Sequence, residues 1–455
     1  LTVMTFLGAG MLSGISAQVS PLQVDTLKET KIPDQWDLQS CIDYAKEQNI
    51  TIRKNRITAV STQIDVKTAK AALFPSLSFS TGHQVVNRPY QETSSRVSGS
   101  EIISSNSKTS YNGNYGLNAS WTLYNGNKRL KTIQQEKLNN QMAELDVATS
   151  ENNIQESIAQ VYIQILYAAE SVKVNENTLQ VSIAQRDRGQ ELLNAGSIAK
   201  SDLAQLEAQV STDRYQLVTA QATLEDYKLQ LKQLLELDGE NEMNIYLPAL
   251  SDENVLAPLP TKRDVYISAL SLRPEIEASK LNVEASELGI NIAKSSYFPT
   301  ISLSAGIGTN HTSGSDFTFG EQVKNGWNNS IGLSVSVPIF NNRQTKSAVQ
   351  KAKLQYETSM LSLLDEQKAL YKTIESLWLD ANSAQQRYAA ANEKLKSTQI
   401  SYELISEQFN LGMKNTVELL TEKNNLLQAQ QEQLQAKYMA ILNTQLLKFY
   451  QGDQL

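Results

Sequence analysis

Residues 69–78 are Ala69-Lys70-Ala71-Ala72-Leu73-Phe74-Pro75-Ser76-Leu77-Ser78, and residues 293–302 are Ala293-Lys294-Ser295-Ser296-Tyr297-Phe298-Pro299-Thr300-Ile301-Ser302. The second stretch repeats the first with an offset of 224 positions, counted from Pro75 to Pro299. Proline cannot continue a preceding helix, and it pushes the residue before it to extended geometry. Phe74-Pro75 and Phe298-Pro299 therefore predict two helix-to-strand switches in an internally duplicated chain.

Four segments around these switches alternate apolar with small polar residues, which is the period of a strand with one apolar face. They are residues 77–80 and 115–123 in the first copy, and residues 301–308 and 331–339 in the second. In an outer-membrane barrel the apolar face meets lipid, and the small polar face lines an aqueous lumen. Four strands cannot close a barrel, and open edges in lipid leave backbone groups unpaired, so the pattern also predicts oligomerisation.

The segments that join the strands, residues 81–110 and 310–326, are rich in Ser, Gly and Asn and are predicted to be loops. They contain both histidines of the chain, His83 and His311, which are accordingly predicted to be solvated loop residues. The single cysteine, Cys41, is predicted to pack in a helix as a small apolar residue. With so few ligands, no histidine–cysteine metal cluster and no cofactor site are expected.

The first long helical segment, residues 127–194, has no proline and a single glycine, Gly189. At 1.5 Å per residue it is about 100 Å long, far more than a globular core requires. The helix after it carries a seam at coiled-coil spacing, in which Asp213 is the sole polar member. The seam consists of Leu203, Leu206, Val210, Asp213, Leu217, Ala220, Leu224, Tyr227, Leu231 and Leu234. The helices alone fit either a ring around a lumen or an antiparallel coiled-coil hairpin without one.

Bulk properties exclude several classes of protein. A net charge of −7 over 455 residues gives no basic surface for nucleic acid. A mean hydropathy of −0.36, without an apolar run of spanning length after the N-terminal stretch, argues against a transmembrane helix but not against a membrane barrel. We find no phosphate-binding glycine loop and no nucleophile elbow, so an enzyme is not expected.

The internal repeat and the positions of the prolines divide the chain into four predicted parts. Residues 1–17 resemble the remnant of a secretory signal, with cleavage after Ala17. Residues 18–237 form the first repeat, which consists of a helix, a strand pair and a long helical hairpin. Residues 238–262 contain three prolines and form a linker, and residues 263–455 form the second repeat.

The ordered set of strand pairs, Phe-Pro switches, long helical hairpins and mid-chain linker resembles the TolC-type outer-membrane efflux channels. The resemblance implies an α+β membrane protein, a homotrimer whose outer-membrane β-barrel takes four strands from each chain and continues into a long periplasmic α-helical barrel. It implies a passive duct in the outer membrane of a Gram-negative bacterium, carrying drugs, other small molecules or proteins. The implied partners are a periplasmic adaptor protein, an inner-membrane transporter and outer-membrane lipid. The alternative is a coiled-coil envelope tether that is anchored by the strands and does not conduct.

The resemblance also places a gate, and contacts to the adaptor, at the tips of the two hairpins. In the first tip Gly196 marks the turn, and Ser201 and Asp202 match a hydroxyl–acid pair that helps hold the periplasmic end of the family's channels closed. The plain alternative is that Gly196 simply ends one helix and Asp202 simply begins the next.

In the second tip Gly412 marks the turn, and Lys414 falls where the family often has an arginine that bonds the hydroxyl of the pair. Phe409 falls where some members have a tyrosine, so the tyrosine's hydrogen bond is missing here. Glu418 aligns with the first of two acids that ring the entrance and attract cations. The plain alternative for Glu418 is a capping box with Asn415.

Overall fold

The computed structural model describes residues 32–90, 94–98, 101–105, 108–238, 243–248, 255–313 and 317–453. Residues 1–17, predicted to be a signal remnant cleaved after Ala17, lie outside the described residues, as do residues 239–242 and 249–254 of the predicted linker.

The two copies of the repeat share two helices, a pair of main-sheet strands and a long helical hairpin, and they differ between the paired strands, where the first copy has two further strands and the second has a short helix. The first copy comprises α1 (Leu38–Gln48), α2 (Ile50–Ala71), β1 (Ser76–Asn87), β2 (Ser94–Ser98), β3 (Glu101–Ser105), β4 (Thr109–Asn125), α3 (Lys128–Asn194) and α4 (Lys200–Leu234). The second comprises α5 (Lys262–Leu272), α6 (Pro274–Lys294), β5 (Thr300–Thr312), α7 (Phe319–Asn325), β6 (Asn328–Ser336), α8 (Gln344–Asn410) and α9 (Thr416–Gln451). The long helices α3 and α8 both have 67 residues, which matches the predicted extent of the first.

The turns from sheet to long helix repeat as well. After β4, Gly126 and Asn127 have φ values of 67° and 62°, and after β6, Asn342 and Arg343 have φ values of 51° and 65°. Two consecutive left-handed residues are uncommon, and a bulky residue such as arginine rarely adopts this geometry. The duplication seen in the sequence is therefore also a duplication of backbone geometry.

The main sheet is antiparallel, with strand order β1-β4-β5-β6. Its central pairing joins the two copies, because β4 of the first lies beside β5 of the second. Strands β2 and β3 form a separate two-stranded sheet. Within the described residues, β1 and β6 each have a single strand neighbour, so the main sheet has two open edges.

The structure corrects the predicted extents of the strands. The predicted loop from residue 81 is wrong, because β1 continues to Asn87 and β4 begins at Thr109. The histidines are therefore not loop residues, since His83 lies on β1 and His311 on β5. In contrast, β6 ends at Ser336, three residues before the predicted end, because Pro338 has no N–H to donate to a ladder.

The chain divides into two compact units, each of which takes segments from both copies of the repeat. One unit holds residues up to Ile57, Asn153–Asp252 and Ala390–Tyr438. Cys41 is fully buried there on α1, as predicted. The α4 seam also lies in this unit, and Leu206, Val210, Asp213 and Leu231 are its buried members.

The other unit holds the sheet and the helices on either side of it in sequence, Thr58–Asn152, Glu253–Ala389 and the chain from Met439. Its core is a cluster of buried residues from α5, α6, α8 and α9: Val265, Ala269, Ile276, Leu370, Ile374, Ala381, Leu447 and Tyr450. The guanidinium of Arg273 lies 4.1 Å from the centre of the Tyr450 ring and 2.8 Å from Glu275 Oε1. No described helix is both long and apolar enough to cross a membrane.

Candidate functional site at the helical hairpin tips

The two hairpin tips turn on glycines in the same left-handed conformation. Gly196, between α3 and α4, has a φ of +75°, and Gly412, between α8 and α9, has a φ of +73°. In each tip the N–H of the next residue donates to a carbonyl five residues back, Ser197 to Leu192 and Met413 to Gln408, both at 2.8 Å. No atom of the described residues lies within 4 Å of a Cβ built on either glycine, so backbone geometry and not crowding explains the residue type.

In the first tip Asp202 holds the start of α4. Its Oδ2 accepts the N–H of Ala199 at 3.0 Å, so a carboxylate lies at the positive end of the helix dipole. Ala199 itself has no side-chain oxygen to cap the helix. Ser201 is exposed beside Asp202. Within a single chain, the contacts of Asp202 are therefore those of a residue that caps the start of α4.

In the second tip Glu418 makes a complete capping box and an ion pair. Its N–H donates to Asn415 Oδ1 at 2.9 Å, and its Oε2 accepts the N–H of Asn415 at 3.2 Å. The other carboxylate oxygen lies 2.6 Å from Lys414 Nζ. The hydrogen bond from Lys414, followed by that from the backbone of Asn415, lowers the pKa of Glu418 below its ordinary value. In this single chain Lys414 thus contacts Glu418, and its hydrogen bond to Ser201 stays a prediction.

The last turns beside the second tip are apolar and buried. Phe409, near the end of α8, and Leu419, in the first turn of α9, are 3% and 0% exposed. Glu422, one turn further along α9, accepts a hydrogen bond from Ser401 of α8 at 3.0 Å. The tip is therefore a packed helix end with its charged pair, Lys414 and Glu418, at the surface.

A buried ionic group connects three helices of the same unit. Lys423 Nζ of α9 donates to the carboxylate of Asp213 on α4 and to Ser182 Oγ on α3, and Ser182 also donates to Asp213. Gln209 Nε2 supplies Asp213 Oδ1 with a further hydrogen bond at 2.9 Å. The side chains of Lys423 and Asp213 are 3% and 0% exposed. Burial lowers the pKa of Lys423, although its contact with Asp213 acts in the opposite direction.

The sequence interpretation noted Asp213 in the α4 seam but missed Lys423. The signal was present, because Lys423 lies four residues after Leu419 and three before Leu426, which is coiled-coil spacing on α9. A lone acid in one seam and a lone base in another predict a buried pair when the two helices pack together.

The Phe-Pro pairs lie between the elements that they were predicted to separate. Phe74-Pro75 follows α2 and precedes β1, and Phe298, with ψ of 156°, is extended before Pro299. The two carbonyls that follow α2 accept hydrogen bonds from side chains of β4 and α3. Trp121 Nε1 donates to Leu73 O at 2.7 Å, and Arg129 Nη1 donates to Ala72 O at 2.8 Å.

The main sheet has one apolar and one small polar face. The register stacks Leu77, Ala119, Ala305 and Ile331 across the four strands of the first face. The second face carries residues such as Ser78, Asn118, Gly306 and Ser330. Large side chains of the apolar face that are at least two-thirds exposed are Leu77, Phe79, Val85 and Ile331.

Residues 41–236 and 265–452 match the model of the outer membrane efflux protein family. The chain belongs to that family. It is 24% identical over 294 residues to outer membrane efflux protein BepC of Brucella suis biovar 1 (strain 1330), with 64% of this chain and 61% of the relative aligned. It is 24% identical over 294 residues to outer membrane protein TolC of Escherichia coli (strain K12), with 63% and 58% aligned. These matches span about three-fifths of the relatives' lengths.

This chain shares the fold of CusC, whose crystal structures were solved in a study of its folding and transmembrane channel formation. It matches with a TM-score of 0.77 at 19% identity and covers 92% of each chain. The predicted family and the predicted α+β fold, with its four strands, long helices and internal repeat, are confirmed. The family match identifies the chain as an outer-membrane efflux protein, and the established role of this family is transport and not catalysis.

Proposed function

We propose that three copies of this chain form the outer-membrane duct of a tripartite efflux system. A periplasmic adaptor would connect the duct to an inner-membrane transporter, and drugs or other small molecules would pass outward through it. The observation that carries this proposal is the main sheet, which in the described part of the chain exposes an apolar face and leaves the edges of β1 and β6 open. In lipid such edges must pair, and the matching edges of further copies provide the partners.

The polar face of the sheet supports a duct over the alternative of a coiled-coil tether. Ser, Gly and Asn residues line this face, and several of the side chains form hydrogen bonds across the sheet, as Ser76 and Ser120 do at 2.8 Å. An anchor would not need one small polar face on all four strands, whereas a water-filled lumen does.

We place the gate of the duct at the hairpin tips, with Ser201, Asp202, Phe409, Lys414 and Glu418 as its residues. The glycine turns hold both tips in one geometry, and the pair of Lys414 with Glu418 fixes the charged side chains at the surface of the second tip. Phe74-Pro75 and Phe298-Pro299 complete the duct as the junctions between its sheet and its helices.

Single-channel recording tests both parts of the proposal. The parent, Lys414→Ser and the matched control Lys396→Ser, which removes an exposed lysine of α8, are reconstituted separately in planar bilayers. We expect discrete conductance steps in all three, with open times at least several-fold longer in Lys414→Ser alone. Silence in every variant despite verified insertion would favour the tether. Steps with equal open times would keep the duct and exclude Lys414 from its gate.

A further inference from the structure

One lateral row of the main sheet contains both histidines of the chain. The register pairs His83 of β1 with Gly113 of β4, and Gly113 with His311 of β5. Residues paired directly across antiparallel strands project to the same face. Two strand spacings put the two histidine backbones on the order of 10 Å apart, with only a glycine between them.

The hollow above Gly113 is lined by polar atoms. A Cβ built on this glycine would lie 3.2 Å from His83 Nδ1, 3.3 Å from the Tyr115 hydroxyl oxygen and 3.5 Å from His311 Nδ1. A glycine inside a strand weakens the strand, and it often marks a place where a ligand approaches closely. Three atoms with lone pairs thus converge on a space that any other residue at position 113 would fill.

One of these atoms lacks a partner. His311 Nδ1 is a buried atom without a hydrogen bond to any described group, and its ring lies edge-on against Tyr111 and Phe319. Buried polar atoms are nearly always satisfied, so an orphan indicates a ligand or another missing partner. His83 Nδ1 lies 2.7 Å from the Tyr111 hydroxyl, and its Nε2 lies 3.2 Å from Thr81 Oγ1.

We propose that this hollow binds a divalent transition-metal ion of the Cu²⁺, Ni²⁺ or Zn²⁺ type. His83 Nδ1 and His311 Nδ1 are the ligands, and the Tyr115 hydroxyl oxygen is a weaker third. Imidazole nitrogens favour these ions, whereas Ca²⁺ and Mg²⁺ need several oxygens. Metal–nitrogen bonds are about 2.0–2.1 Å long, so both imidazole rings must turn inward over Gly113 to complete the site.

The neighbouring hydroxyls suit this assignment. On binding, His83 Nδ1 exchanges its hydrogen bond with Tyr111 for the metal, and its Nε2–H donates to Thr81 Oγ1. Such an outer hydrogen bond fixes the tautomer and the ring plane of a ligating histidine.

The sequence predicted no metal site. The proposed ligands are brought together by strand pairing, which the spacing of histidines along the chain does not reveal. No group of three or more His, Cys, Asp or Glu side chains placed to hold a metal occurs in the described part of the chain. The proposed site consists of two histidines, and its third ligand is the hydroxyl of Tyr115. The ion would join β1, β4 and β5 near their ends remote from the Phe-Pro switches, and this role does not depend on the proposed transport function.

Copper titration of the full-length protein, purified in detergent through a histidine-free tag, tests the proposal. We expect one tightly bound Cu²⁺ per chain, with an electron paramagnetic resonance spectrum that shows hyperfine splitting from two imidazole nitrogens. His83→Asn, His311→Asn and Gly113→Ala should each weaken binding at least tenfold. The matched control is Gly116→Ala on the opposite face of β4, where the nearest atom to the new Cβ lies 3.4 Å away, and it should bind as the parent does.

Two results would overturn the site. One is equal Cu²⁺ affinity in the parent and the His83→Asn/His311→Asn double variant. The other is a parent spectrum without imidazole nitrogens, and this measurement needs no variant, so a folding defect cannot obscure it. As a second readout, Zn²⁺ should raise the thermal unfolding midpoint of the parent and of Gly116→Ala, but not that of Gly113→Ala.

Discussion

At the scale of single residues, Glu418 makes the second hairpin tip sensitive to acid. Its pKa is lowered from the ordinary 4.5 by Lys414 and by the N–H of Asn415, so the folded tip favours the ionised carboxylate. The stabilisation is therefore complete above the unfolded pKa and is lost as pH falls through the folded one. If the tip is the gate, acidification below about pH 4.5 should lengthen channel openings.

The matched variant for this prediction is Glu418→Gln, which keeps the shape of the side chain and removes its charge. It should show long openings at neutral pH and little further change on acidification, as measured in the same bilayers. If Glu418 also selects cations, the variant should shift the reversal potential in a salt gradient toward anions. An acid response identical to that of the parent would assign the effect to other carboxylates.

At the scale of helices, the buried group of Asp213, Lys423 and Ser182 ties α3, α4 and α9 together. Removing one member of a buried ion pair leaves an uncompensated charge, which costs about 3–5 kcal/mol. We therefore expect Asp213→Ala to lower the free energy of unfolding by that amount. Chemical denaturation followed by circular dichroism at 222 nm measures it.

The control for this prediction replaces both charges with apolar side chains of similar size, Asp213→Leu together with Lys423→Met. Such replacements are often neutral or stabilising, so the double variant should recover most of the loss. If the single and double variants are equally unstable, the pair does not act as a unit. In that case the defect arises from packing around position 213.

The features that the sequence predicted well are those that depend on local chemistry. Proline acts on its neighbours, so Phe74-Pro75 marked the end of α2 and the start of β1, and the absence of proline gave the extent of α3. The end of β6 is local too, because Pro338 stops the ladder although the apolar alternation continues to Ile339. In contrast, strand register brings His83 close to His311, and helix packing brings Asp213 close to Lys423. The sequence pattern of a single segment contains neither kind of information.

At the scale of the whole chain, the duplication explains why one sequence contains both a sheet and long helices. Each copy contributes two strands to the main sheet and one long hairpin, and β4 and β5 join the copies. The hairpin helices have matched lengths, 67 and 35 residues in the first copy and 67 and 36 in the second. Such closely matched lengths suit two tips that serve one common opening in the proposed duct.

The two faces of the sheet give the sharpest test of its environment. Ile331 and Ser330 are neighbours in the middle of β6 and pair with Ala305 and Gly306, so they lie on opposite faces. An arginine on a lipid-facing position near the bilayer midplane costs about 2–4 kcal/mol, whereas a lumen position tolerates charge.

Ile331→Arg should therefore reduce the yield of assembled oligomer in the outer-membrane fraction and lower its unfolding temperature. Ser330→Arg should assemble normally and reduce cation conductance, because its charge lies in the lumen. The reverse result, with Ser330→Arg failing to assemble and Ile331→Arg conducting less, would invert the faces of the sheet.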